Sequence, residues 1–115
     1  MINYNPGDVV LVNFIFSDES GVKKRPGLVI SSNQFNDKRN ELIIVAITGQ
    51  IEKLRFGDYL VNDYKKAGLL RPFAVTGVIR TIKSGMVDRL LGKFSSLDMK
   101  AFYRNIRYNL NMSVD

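Results

Sequence analysis

The chain of 115 residues contains no cysteine and no histidine. The first absence rules out a disulfide framework and thiolate chemistry. The second removes both the commonest general base and the commonest metal ligand, and with them a serine–histidine–aspartate triad. No apolar run approaches the roughly 18 residues of a membrane span. The N-terminus shows no basic segment followed by an apolar stretch of the secretory kind. A cytoplasmic protein with no membrane contact is therefore expected. No glycine loop of the dinucleotide or nucleotide type is present. The acids stand singly, so neither a carboxylate pair nor a two-metal cluster emerges, and no metal and no cofactor are expected. Internal repeats, linkers and low-complexity segments are also missing.

What is present suits one soluble domain over residues 1–115. Apolar content is 45% and charged content 24%, both ordinary. The net charge is +6. It is unevenly spread: residues 1–57 carry seven Lys/Arg against six Asp/Glu, and residues 58–115 carry ten against five. A basic surface of this kind suits a polyanion such as nucleic acid, and it also serves plain solubility.

The stretch that organises the chain is Lys23-Lys24-Arg25-Pro26 followed by Gly27-Leu28-Val29-Ile30. Pro26 fixes its own φ and drives Arg25 towards an extended backbone. Leu28-Val29-Ile30 reads as a buried strand. The run is either a solvated charge cluster or an anion-facing arginine on a rigid mount.

Around it, Val9 to Phe16 reads as a long central strand, buried on much of both faces. Ser17 to Gly21 is a polar loop, and a second strand runs from Pro26 to Ser32. Asn33 to Asn40 is a connecting loop or short helical turn, with Phe35 as its anchor. Glu41 to Thr48 is a third strand, Asp58 to Val61 a short fourth, and Phe73 to Val78 a fifth that Ile79 to Ile82 continues or follows. Met86 to Leu91 reads as a turn-rich or helical piece. Ser95 to Leu110 is a helix: Ser95 is the N-cap, Asp98 completes a capping box, and Phe94 with Met99 forms a hydrophobic staple. Met99, Phe102, Tyr103, Ile106 and Leu110 make its apolar face, with Lys100, Arg104 and Arg107 alongside. Short strands and one C-terminal helix suggest a small, mostly antiparallel barrel closed by that helix.

With the usual catalytic constellations missing, chemistry is left to arginine, hydroxyls and backbone amides. These groups stabilise charge that builds on phosphate. RNA supplies its own nucleophile, the 2′-hydroxyl, so orientation and oxyanion stabilisation suffice.

Three blocks carry a family resemblance. The first is Gly7-Asp8-Val9-Val10-Leu11-Val12 with Phe14 and then Lys24-Arg25-Pro26 and Leu28-Val29-Ile30-Ser31. The second is Val45-Ala46-Ile47-Thr48. The third is Gly68-Leu69, Ile79-Arg80-Thr81-Ile82 and Leu91-Gly92-Lys93-Phe94. In this order, from Gly7 to Leu110, the chain resembles the MazF/PemK (Kid) endoribonuclease toxins of toxin–antitoxin pairs. The resemblance implies a mainly β fold with a C-terminal helix, an SH3-like β-barrel of the MazF/CcdB/Kid kind, assembled as a homodimer. It implies metal-independent, sequence-specific cleavage of single-stranded RNA to 2′,3′-cyclic phosphate and 5′-hydroxyl ends, and control by a cognate acidic antitoxin. Arg25 matches the family's arginine before proline and Thr48 its strand-end threonine, the two residues usually assigned to catalysis. The loop from Ser17 to Lys24, with Ser17, Ser20, Lys23 and Lys24, would border the RNA groove, and Arg80 would contact backbone phosphate or serve structure.

Three positions depart from the family pattern. Some members carry an acid and an arginine where Gly77 and Val75 stand, and many carry a serine where Phe73 follows Pro72. These departures leave Arg25 and Thr48 as the candidate pair. Phe16 and Phe73 are expected in the core. The alternative from another class is a non-catalytic protein of the same barrel, either an RNA- or DNA-binding module or a gyrase inhibitor of the CcdB type.

Overall fold

Neighbouring residues of the central strands point into different cores, and this alternation sets the architecture. The computed structural model describes residues 3–15 and 21–112. It contains β1 (Asp8–Ile15), β2 (Val22–Val29), α1 (Asn33–Arg39), β3 (Glu41–Thr48), β4 (Tyr59–Leu60), β5 (Ala74–Lys83), β6 (Val87–Lys93) and α2 (Ser96–Asn109). The strands form one antiparallel sheet in the order β4-β5-β3-β2-β1-β6. Val9, Leu28 and Val45 enter a core with Ile47, Val75, Phe94 and Phe102, against which Met99, Tyr103 and Ile106 of α2 pack. Val10, Val29 and Ile44 enter a second core with Val12, Leu42 and Ile82. The period of two along each strand therefore supplies both faces. It also explains why β1, broken only by Asn13, and β3 read as near-continuous apolar runs rather than as alternating ones.

Several expected elements take a different form. The basic run is part of β2, which starts at Val22 and not at Pro26; Lys23, Lys24 and Arg25 pair with Phe14, Asn13 and Val12 of β1. The expected fifth strand and its continuation are one strand, β5, which runs over Ala74–Lys83 and leaves Phe73 outside it. Met86 to Leu91 is no helix: a short 3-10 turn at Ser84–Met86 leads into the edge strand β6. In α1 the anchor is Asn36 and not Phe35. Asn36 is buried and donates through Nδ2 to the carbonyls of Tyr4 (3.0 Å) and Ser31 (3.2 Å) while its Oδ1 accepts from the Ser31 hydroxyl. Leu110 is half exposed and lies beyond α2, so it does not extend the apolar face.

Among the described residues, the end strands β4 and β6 are not paired with each other, and the hydrogen-bonded sheet stays open. The loop after β4 bridges the ends instead. The Lys93 amide donates to the Lys66 carbonyl at 3.1 Å. Two glycines permit this approach of backbone to backbone. A Cβ on Gly68 (φ +79°) would lie 2.0 Å from the Leu91 carbonyl oxygen, and one on Gly92 would lie 2.5 Å from the Ala67 carbonyl carbon.

Asp98 ties α2 to the same loop. The Ser95 hydroxyl accepts from the Asp98 amide at 3.1 Å, as an N-cap does. The carboxylate does more than complete a capping box: it accepts from the Tyr59 hydroxyl (2.5 Å) and from the Asn62 and Asp63 amides (2.8 Å each). It is fully buried. Burial opposes its ionisation, but the Tyr59 hydroxyl and the Asp63 and Asn62 amides together outweigh burial and hold the carboxyl below its usual value. Burial and the same partnership push the Tyr59 phenol upwards.

Candidate functional site

The β2–β3 ladder runs from Val29–Ile44 to Gly27–Ala46 and ends there. The next residue of β2 is Pro26, which has no amide hydrogen to donate. Continuing the register by two residues brings Arg25 level with Thr48, on the face shared by Gly27 and Ala46. Arg25 keeps its hold on β1, opposite Val12. The strands thus part with an arginine on one lip and a threonine on the other. Ile44, Ala46 and Thr48, alternate residues of one strand, contribute to a groove of about 730 Å³ that Arg25 also lines.

The groove is cationic. Lys24, Arg25, Arg71 and Arg80 line it, and among the described residues no Asp or Glu does. Lys24 is partly neutralised by an ion pair to Asp88 at 3.5 Å. Arg80 lies over the Phe14 ring, Cζ 5.7 Å from its centroid, and Arg71 lies over Phe73 at 5.4 Å. The Thr48 hydroxyl oxygen accepts from the Gln50 amide at 3.2 Å, which leaves its proton for a ligand. Among the described residues, no three of His, Cys, Asp and Glu gather into a donor set for a metal ion. The arrangement can grip a phosphate with guanidinium and hydroxyl donors, and it has apolar and aromatic surface beside them.

β5 shapes the far wall. Between Ile79–Val45 and Val75–Ile47 the register slips, so that Thr76, Gly77 and Val78 stand opposite Ala46 alone. Bulges of this kind re-aim side chains. Thr76 donates to the Ala46 carbonyl at 2.9 Å, and Thr76 and Val78 line the groove. The departures noted in the sequence fall here. Val75 is buried in the core, and a Cβ on Gly77 would meet nothing within 4 Å.

Of the residues expected from sequence, Arg25, Thr48, Lys24 and Arg80 meet in the groove. Lys23 is exposed on β2 and is not among the lining residues. Ser17, Ser20 and Phe16 lie outside the described residues. Phe73 is only partly buried: it packs on the core and also faces the groove. Sequence reading passed over Arg71, Gln50, Phe14 and Thr76. For Arg71 a signal was available, since Arg71-Pro72 repeats the Arg25-Pro26 dipeptide and a following proline restricts the backbone of either arginine.

Residues 5–110 match the family described as PemK-like, MazF-like toxin of type II toxin–antitoxin systems. Solved structures of similar fold include the MazE–MazF complex of Deinococcus radiodurans, with TM-score 0.82 and 15% identity over 98% of this chain and 100% of that one. An endoribonuclease in complex with its cognate antitoxin, from a mycobacterial species, gives 0.75 and 16% over 100% of both chains. The Mycobacterium tuberculosis toxin MazF-mt6 gives 0.74 and 16% over 93% and 99%. At such identities the likeness concerns the fold: a mainly β antiparallel sheet with a C-terminal helix. No curated protein sequence gives a significant match.

Proposed function

The chain belongs to the PemK-like, MazF-like toxins of type II toxin–antitoxin systems, and from that premise we propose that it is a metal-independent, sequence-specific endoribonuclease acting on single-stranded RNA. The observation that carries this reading is the meeting of Arg25 and Thr48 across the parted β2–β3 lips, in a groove whose charged lining among the described residues is cationic. The similar structures named as endoribonucleases support it.

The chemistry follows from the groups at hand. The 2′-oxygen attacks the adjacent phosphorus and the bond from phosphorus to the 5′-oxygen breaks. The 2′-hydroxyl proton passes to solvent, and the departing 5′-oxygen takes a proton back from it. The products are a 2′,3′-cyclic phosphate and a 5′-hydroxyl. A guanidinium does not act as a base in proteins. The role of Arg25 is a charge-assisted fork on the phosphoryl oxygens, where negative charge grows. Thr48 donates its hydroxyl proton to the same phosphate. Arg80 and Lys24 hold flanking backbone phosphates.

The open sheet, bridged by loop contacts, corresponds on this reading to a partly open SH3-like barrel. Phe56 and Leu70, at 90% and 99% exposure, are large apolar side chains that a second copy of the chain would cover. A homodimer is therefore expected, and sedimentation at micromolar concentration should give twice the 13.1 kDa chain mass. A monomer that still cleaves RNA would count against it. The four cations lining the groove also suit a cognate antitoxin with an acidic segment that orders on binding. Such a segment should compete with RNA, and tight binding that leaves cleavage untouched would refute that site.

Incubation with a long RNA in EDTA tests the activity directly. Cleavage is expected to persist and to leave cyclic phosphate and 5′-hydroxyl ends. Absence of cutting, loss of cutting in EDTA, or 5′-phosphate ends would each overturn the proposal.

A further inference from the structure

Arg71, like Arg80, lies over an aromatic ring, but Arg71 also fills the gap beside a glycine. Its guanidinium and the Phe73 ring both occupy the space that a side chain at residue 49 would fill. A Cβ on Gly49 would lie 2.7 Å from Arg71 Nη2 and 3.2 Å from Phe73 Cε2. Phe73 is backed by the core around Val75 and Phe102, and Arg71 lies over its ring. Among the described residues no carboxylate pairs with Arg71, and Arg71 is exposed. The order from the interior outwards is core, Phe73, Arg71, groove. All of this sits one residue beyond Thr48, and Thr48 is itself paired with Ala74, the neighbour of Phe73.

We propose that Arg71, seated on Phe73 in the gap left by Gly49, is a stacking plate for a nucleobase beside the scissile phosphate, and so a specificity-determining residue. The inference rests on the endoribonuclease reading. A phosphate contact alone would need only a cation, and Lys24, Arg25 and Arg80 supply those. The Phe73 ring orients the Arg71 guanidinium through cation–π attraction, as the Phe14 ring does for Arg80, and the gap at Gly49 in addition brings the Arg71–Phe73 pair against the backbone next to Thr48. Arginine planes and aromatic faces are the surfaces on which unstacked RNA bases rest. The plate sets which nucleotide stands beside Thr48 and thereby where the backbone is cut.

The test uses the RNA sequence that the protein is found to cut, made inert by one 2′-deoxynucleotide at the cut site. Abasic nucleotides are placed in turn at each flanking position, and binding is read by fluorescence anisotropy. For the unmutated protein, one position next to the cut should weaken binding about tenfold or more when its base is removed. In Arg71→Lys, which keeps the charge and loses the plane, removal of that base should change binding by less than about twofold. Phe73→Leu, which keeps apolar volume in the core and removes the backing ring, should blunt the abasic effect in the same direction. An abasic penalty as large in Arg71→Lys as in the unmutated protein overturns the plate while leaving the endoribonuclease reading intact. If the unmutated protein neither cuts nor binds RNA, that reading fails and the plate with it.

Discussion

Arg25→Ala is expected to slow RNA cleavage by ~10²–10³ while leaving the fold intact. The side chain is exposed, and surface substitutions away from special features change stability by no more than about 0.5 kcal/mol. The loss therefore falls on chemistry. Negative charge builds on the phosphoryl oxygens as the 2′-oxygen attacks, and a guanidinium carried on a backbone held by Pro26 and by pairing to β1 meets it. Arg25→Lys should recover little, because a point charge on a flexible stem cannot reproduce a planar two-pronged donor. Thr48→Val removes a donor without changing side-chain shape and should also be severely impaired. A hydrogen in place of the 2′-hydroxyl at the cut nucleotide should make the RNA inert. Single-turnover rates with circular dichroism as the folding control would decide the matter: a folded Arg25→Ala protein cutting at the unmutated rate, or cutting of the 2′-deoxy substrate, sinks the mechanism.

Asp98→Ala is expected to destabilise the protein by roughly 3–5 kcal/mol, because the partly buried hydroxyl of Tyr59 and the amides of Asn62 and Asp63 lose their shared acceptor together. Asp98→Asn keeps the shape but replaces a carboxylate with a neutral amide, and should cost about 1–3 kcal/mol. The same contacts make stability depend on pH. The folded carboxyl titrates below its unfolded value, so the folded state binds fewer protons than the unfolded chain in the window between them. The stabilisation is complete above the unfolded value of about 3.9 and drains away as pH falls through the lower, folded value. Urea unfolding at about pH 6 and about pH 3 should show a steeper fall for the unmutated protein than for Asp98→Asn. Equal falls in the two proteins would mean that Asp98 does not carry this acid sensitivity.

How much of this was legible beforehand varied with how each element is stabilised. β3 was read with its true limits because its apolar run is buried on both faces, so composition alone marks it. α2 was legible from its N-cap serine, its staple and its helical spacing. β6 was not. Val87–Lys93 is largely exposed, so no apolar alternation announces it. It is a strand because β1 offers a free edge for it to pair with. The basic run of β2 was likewise placed outside the sheet, since three cations look solvated whether or not their backbone is paired on one side.

The site divides in the same way. The sequence by itself determined the kinds of group available: arginine and hydroxyl donors, without histidine or cysteine. It also determined that Pro26 holds Arg25 extended, because proline acts on its neighbours within the chain whatever the fold. It marked the Arg-Pro and strand-end threonine blocks by which the family could be recognised. Only the tertiary structure decided that Arg25 and Thr48 share one groove, because that depends on the β2–β3 register and on where the ladder stops. It decided that Asp98, expected as one half of a helix cap, also anchors Tyr59 and the loop at Asn62 and Asp63. It brought Arg71 and Phe73 against Gly49, since residues more than twenty positions apart meet only when β5 pairs with β3. Local rules act over a few bonds and can be read along the chain, whereas registry between strands is settled by burial of both faces of the whole sheet at once.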